Sequence, residues 1–258
     1  MAHFAISCPP LPGHINPFCA LGRELVRRGN RVTVFGIADT QSMVEKQGLR
    51  FVALGAKEYP VGSLTPFLTA LKQQQGYRSM TFVLDSLTGL LRRTMEHAPA
   101  AFLEENVDAV LADQNEPAAA SVAQHLDLPF ASICTSLPLN REPAIPPSFT
   151  SWEYGTGPLS ILRNRIGYTV GDFITRRIQA TLNEFRAHWR LRELRSPDDS
   201  FSSIAQVAQM PAEFDFPRRN APSCFHYTGP WFDEVNDGSS RASAFPFERL
   251  DGRPLLYA

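Results

Sequence analysis

Cysteine is scarce. Cys8, Cys19, Cys134 and Cys224 are the four in 258 residues, and no two form a C-x-x-C pair. That excludes a zinc ribbon and a dithiol redox motif, and no metal or resident cofactor is expected. Cys8 and Cys134 sit in apolar runs and read as small buried hydrophobes. A basic excess is also missing: the net charge is −1, which argues against a nucleic-acid binder. No apolar run reaches the roughly 20 residues of a membrane span. The opening MAHFAISCPP has no basic n-region, and its apolar stretch is too short for a signal peptide. The reading is a reduced, cytoplasmic protein. Three glycine motifs are absent as well. Without G-x-G-x-x-G or GxxxxGK[ST] there is no dinucleotide or ATP cradle, and without G-x-S-x-G no α/β-hydrolase nucleophile. No internal repeat or low-complexity tract is evident.

Hydrophobic residues make up 43% of the chain and charged residues 20%, enough for a substantial core in one large or two small domains. Strand-like and helix-like segments alternate. His3 to Cys8, Arg31 to Gly36, Arg50 to Leu54, Val107 to Ala112 and Pro129 to Thr135 read as strands. Asn16 to Arg28 reads as a helix with Phe18, Leu21, Leu25 and Val26 on one face, Asn16 as N-cap and Pro17 as its first residue. Ala38 to Gln47, Gly62 to Ala98, Pro117 to Leu126 and Leu159 to Leu194 read as helical, and Asn140 to Gly157 as an ordered loop. Ser203 to Gln209 and Cys224 to Thr228 look like further strands. The alternation predicts an α/β fold: a Rossmann-like parallel sheet with helices on both faces. Its strand C-termini share one edge, where ligands bind. Residues 1–232 read as one domain, 233–252 as a polar linker, and 253–258 (RPLLYA after Gly252) as the first strand of a second domain that the chain does not continue.

The stretch LPGHINP places His14 just past the first strand, on the ligand edge. An imidazole there can act as a general base near neutral pH; a locally bonded loop histidine is the other reading. A base needs a group to fix its tautomer. Asp113, at the end of VDAVLAD, leaves a strand on the same edge, although it could equally cap the helix opening at Pro117. Glu116 is a second candidate partner. His97, His125, His188 and His226 show no metal-ligand spacing and carry less weight.

These residues resemble the N-terminal domain of UDP-dependent glycosyltransferases of the GT-B architecture. The resemblance rests on PGHINP after the first strand, the strand ending in Asp113, and the order of elements. VDAVLADQNEPAAASVA, LPFASICTSLPLNREPAIP, SIAQVAQMPAEFDFPRR and CFHYTGP are similar, more narrowly, to zeaxanthin glucosyltransferases. The resemblance implies that His14 deprotonates an acceptor hydroxyl and that Asp113 orients and charge-balances it. The donor, a UDP-sugar such as UDP-glucose, serves as co-substrate and is held mainly by a C-terminal domain, so the 258 residues alone are expected to lack transferase activity. Acceptor contacts are expected from Pro12, Ile15, Gln114, Asn115, Thr135 and Ser136, with Phe67, Phe82, Leu84 and Leu87 as apolar walls or as ordinary core. The implied partner is a lipophilic small molecule, a carotenoid or another hydrophobic alcohol. Peripheral membrane contact through Arg163, Arg165, Arg176 and Arg177 stands beside a plain solvated helix face. A stand-alone module binding a lipophilic molecule is the alternative from another class.

Overall fold

A computed structural model describes residues 1–73, 77–231 and Gly252. The linker expected over 233–252, Gly252 aside, and the strand expected over 253–258 lie outside the described residues. Among the described residues, seven strands form one sheet: β1 (His3–Ser7), β2 (Arg31–Gly36), β3 (Arg50–Ala53), β4 (Ala109–Asp113), β5 (Phe130–Cys134), β6 (Ala205–Ala208) and β7 (Phe225–Tyr227). Their spatial order is β3-β2-β1-β4-β5-β6-β7, and every pairing is parallel. This is the doubly wound α/β arrangement expected from the alternation. The order runs outward in both directions from the β1/β4 junction, so that junction is the topological switch point where such sheets open a crevice.

The helices are α1 (Pro12–Arg27), α2 (Gln41–Glu45), α3 (Leu64–Gln73), α4 (Tyr77–Glu104), α5 (Pro117–His125) and α6 (Pro158–His188). They cover both faces because successive strand residues point to opposite sides. Ile6, Val34, Leu111 and Ile133 pack with Phe18 and Cys19 of α1 and Val44 of α2. Ala5, Phe35, Val110 and Ala112 pack with Leu91, Met95 and Phe102 of α4, the alanines of α5 and Leu182 of α6. Close packing of α1 is secured by Gly22, where a Cβ would stand 2.8 Å from Leu49 Cδ1 and 3.2 Å from Ile6 Cδ1.

Several boundaries differ from the expected ones. Helix α1 begins at Pro12, with Leu11 rather than Asn16 as N-cap. Proline is favoured at N1, where its missing N–H would be unpaired anyway. The first helical bond runs from Ile15 N to Leu11 O at 3.0 Å. Pro17 therefore lies inside the helix, and it cannot donate to the carbonyl of Gly13. His14 is thus in the first turn of α1, not in a loop ahead of it. The segment Ala38 to Gln47 divides into a 3₁₀ turn (Ala38–Thr40) and the short α2.

Candidate active site

Three neighbouring strand ends deliver the polar cluster. The β1/β4 ladder ends at Ser7 opposite Ala112, and the β4/β5 ladder at Asp113 opposite Ile133. The next residues on this edge are the loop into α1, Asp113 itself, and Thr135 just past β5. His14 Nδ1 lies 2.7 Å from Asp113 Oδ2. Thr135 Oγ1 donates to the same Oδ2 at 2.9 Å and stands 2.8 Å from His14 Nδ1. Asp113 Oδ1 accepts from the backbone N–H of Asn115 at 2.8 Å and from its side-chain amide at 3.2 Å. The Asp113 side chain is 0% exposed and the His14 ring 18%. A buried carboxylate with four such contacts favours the His14 tautomer that carries its hydrogen on Nδ1. Nε2 is left with a lone pair and, among the described residues, no hydrogen-bond partner.

The expected site residues take different places. Asp113 does not cap α5; Glu116 holds that position. Glu116 does not reach His14. Its carboxyl accepts from Thr94 Oγ1 at 2.8 Å, and burial pushes it above the ordinary carboxylate value against the opposing pull of that bond and of Arg93. The Arg93 guanidinium is itself lowered by burial and lies 4.2 Å over the Tyr59 ring. Gly55, at φ +59°, makes room for it: a Cβ would stand 2.3 Å from Arg93 Cδ. Pro12 is exposed at the start of α1. Ile15 is 2% exposed in the core beneath that helix. Gln114 is also buried, and its amide is spent on the loop after β5: it donates to Ser136 Oγ and Leu137 O and accepts from Leu139 N. Asn115 and Ser136 are exposed at the edge.

Two apolar hollows adjoin this edge. One, of about 70 Å³, is walled by Pro9, Pro10, Leu87, Asn115 and Glu116 among others. The other, of about 200 Å³, is walled by Tyr59, Leu64, Phe67, Phe82 and Leu90 among others, with the Phe67 and Phe82 rings stacked 6.3 Å apart. The thiols near the edge are held protonated: burial pushes Cys134 up to about 12 and Cys8 well above its ordinary value. Among the described residues no group of three His, Cys, Asp or Glu side chains could hold a metal ion.

One polar pair escaped the sequence reading. Asp215 and Arg218 form a buried ion pair at 2.6 Å. Arg218 also donates to the carbonyls of Asn140 and Pro138, and Tyr227 donates to Asp215 at 2.6 Å. Glu142 accepts from the backbone of Arg219 and Asn220. The blocks PLNREP and DFPRR, far apart in sequence, thus close on each other and fix the loop that follows Thr135. Opposite charges three residues apart were the available signal, but such spacing outside a helix does not reveal a third partner.

A comparison with protein-family models finds no match. The chain is 35% identical over 230 residues to a zeaxanthin glucosyltransferase of Pantoea ananas, covering 89% of this chain and 53% of that protein. It is 33% identical over 229 residues to a zeaxanthin glucosyltransferase of Pseudescherichia vulneris, covering 89% and 54%. The chain spans about half the length of the curated relatives it matches. Among solved structures, the kitacinnamycin glycotransferase superposes with a TM-score of 0.63 at 18% identity, over 92% of this chain and 53% of that one. The fold described above is therefore the Rossmann-like fold found in GT-B glycosyltransferases.

Proposed function

We propose that this relative of zeaxanthin glucosyltransferases is the acceptor-binding part of an inverting glycosyltransferase. The full-length enzyme transfers a sugar from UDP-glucose to a hydroxyl of a lipophilic alcohol, a carotenoid such as zeaxanthin. Residues 1–232 form the acceptor side, residues 233–252 the linker, and residues 253–258 open the domain that holds most of the donor.

The observation that carries this reading is the His14–Asp113 bond at the switch point of the sheet. With Nδ1–H donated to Asp113, Nε2 is free to take the proton of an acceptor hydroxyl. The oxygen then forms its bond to the anomeric carbon as the bond from that carbon to the nucleotide's phosphate oxygen breaks. UDP leaves with the electron pair, and attack from the opposite side inverts the configuration. Asp113 balances the imidazolium formed in that step. Asn115 and Ser136 border the arriving hydroxyl, and the hollows beside Leu87 and Phe82 take the apolar body of the acceptor.

The test is a product assay on the full-length enzyme with UDP-glucose and zeaxanthin, beside the His14→Ala protein. General-base removal is expected to lower turnover by about 10²- to 10⁴-fold while leaving the fold intact. Wild-type turnover in His14→Ala would overturn the base assignment. Product with another hydrophobic alcohol but none with zeaxanthin would move the acceptor and keep the reaction class. Saturable binding of a lipophilic alcohol without transfer from any nucleotide sugar would favour a pure binding module.

A further inference from the structure

Helix α6 carries an apolar stripe that nothing in the described residues covers. Leu159, Leu162, Ile166, Val170 and Phe173 follow one another at intervals of three and four residues, so at about 3.6 residues per turn they form one row. All five are exposed, Leu159 by 80% and Phe173 by 65%. Phe149, from the preceding loop, lies on another side of the helix. It is also exposed, and its ring packs over Gly171, where a Cβ would stand 2.9 Å away. A soluble helix normally turns such a row to the core; here the core side of the same helix is already supplied by Leu182 and its partly buried neighbours Ile178 and Phe185.

Among the described residues, the charges beside the stripe that lack an ion-pair partner are arginines. Arg165 and Arg176 lie on its solvent shoulder, and Arg177 continues the row one turn past Phe173. Arg176 folds back over the Phe173 ring at 4.0 Å. The carboxylates nearby are spoken for: Asp172 pairs with Arg141 at 2.6 Å and Asp85 with Arg177 at 3.2 Å. Arg163, Arg165 and Arg176 have no acidic partner among the described residues. Behind the helix, Tyr168, Gly171 and Thr175 form one wall of an apolar hollow of about 210 Å³, closed by Leu137, Ile145 and Phe149 of the loop that follows Thr135.

We infer that α6 is a docking surface for an anionic phospholipid bilayer. An exposed apolar row edged by arginine is the pattern of helices that lie in the membrane interface. The row sinks into the acyl boundary while the guanidinium heads stay at the phosphates on long aliphatic stems. Charge decides against a second copy of this chain, since the same helix offers Arg165 and Arg176 no free carboxylate. The inference deepens the proposed function by naming where a lipophilic acceptor would be met, but it stands on different residues.

Flotation of the full-length protein with phosphatidylcholine vesicles, with and without phosphatidylglycerol, tests it in the absence of donor and acceptor. Partition into the anionic vesicles, reduced by salt, is expected. Leu162→Ser with Phe173→Ser should weaken it at least about tenfold. Arg165→Gln and Arg176→Gln should weaken it about fivefold each. All four positions are exposed, so thermal unfolding should not move, and His14→Ala should float like the wild type. No partition into anionic vesicles, or partition that ignores these substitutions, would overturn the inference. So would a dimer that Phe173→Ser dissolves in a protein that does not float. Glycosyl transfer to a detergent-dispersed acceptor is read separately, so loss of one result leaves the other standing.

Discussion

At the scale of the residue, the site is built on one shared acceptor oxygen. Asp113 Oδ2 receives both His14 Nδ1–H and the Thr135 hydroxyl, and Thr135 is held from behind by Gln209, which donates to its carbonyl at 2.7 Å. Thr135 therefore positions the carboxylate and the ring, a role the sequence did not reveal. From sequence it was one polar residue near an acceptor, because a side chain's partners across 121 positions are not written in its neighbours. Thr135→Ala should lower turnover by about tenfold, the scale of one hydrogen bond to a charged group, with little change in acceptor KM. Thr135→Ser should restore it. Equal damage from both substitutions, or an unchanged pH profile in Thr135→Ala, would reduce Thr135 to a packing role. Asp113 was legible because it ends a strand, and strand ends on one edge converge. Ile15 and Gln114 belong to the other group: adjacency to a site residue fixed their place in the chain, but the change of direction from one residue to the next, about 100° on a helix, decides which faces solvent.

At the scale of the element, the loop between β5 and α6 is held by side chains rather than by backbone ladders. Arg218 bonds Asp215 and two loop carbonyls at once. Arg218→Ala would strand a buried carboxylate and two carbonyls, at a cost of about 3–5 kcal/mol. Denaturant unfolding of the two proteins measures it, and a change below about 1 kcal/mol would mean that water replaces the guanidinium. The helix α1 teaches a related lesson. Its proline at position 17 suggested a start, yet the true start is the earlier Pro12. Two prolines of equal local merit were separated by tertiary packing, because Ile15 finds a place in the core one turn earlier than periodicity required.

At the scale of the whole molecule, the sheet was the most legible feature. The centres of its runs, VLA in VDAVLAD and VTVF in RVTVFG, are buried and mostly apolar, as in strands covered on both faces, and their alternation with helices leaves a parallel sheet as the economical arrangement. The neighbour relations beyond consecutive strands were not legible; right-handed crossovers placed the strand C-termini on one edge and left the strand order open. Global stability should carry the signature of the charges enclosed near the switch point. The carboxyl of Glu116 has a folded pKa above its unfolded value near 4.3. Its favourable contribution is therefore fully present below that unfolded value, and it is lost as pH rises through the folded one. Relative to Glu116→Gln, the wild type should lose stability as pH rises above the unfolded value of about 4.3. Unfolding free energies measured across that rise check the sign, and a constant difference would place the carboxyl in contact with water.

The order of strands also has a consequence for the life of the chain before it is complete. β1 ends in the middle of the sheet, with β2 on one side and β4 on the other. β2 emerges from the ribosome soon after β1, but β4 begins at Ala109. At about 5–20 residues per second, the inner edge of β1 waits on the order of five to twenty seconds with its backbone donors and acceptors unpaired. During that interval an interior strand of the finished sheet is an edge strand, with the liabilities of one. The same crossover that later brings His14 to Asp113 is what leaves the nascent chain open for so long.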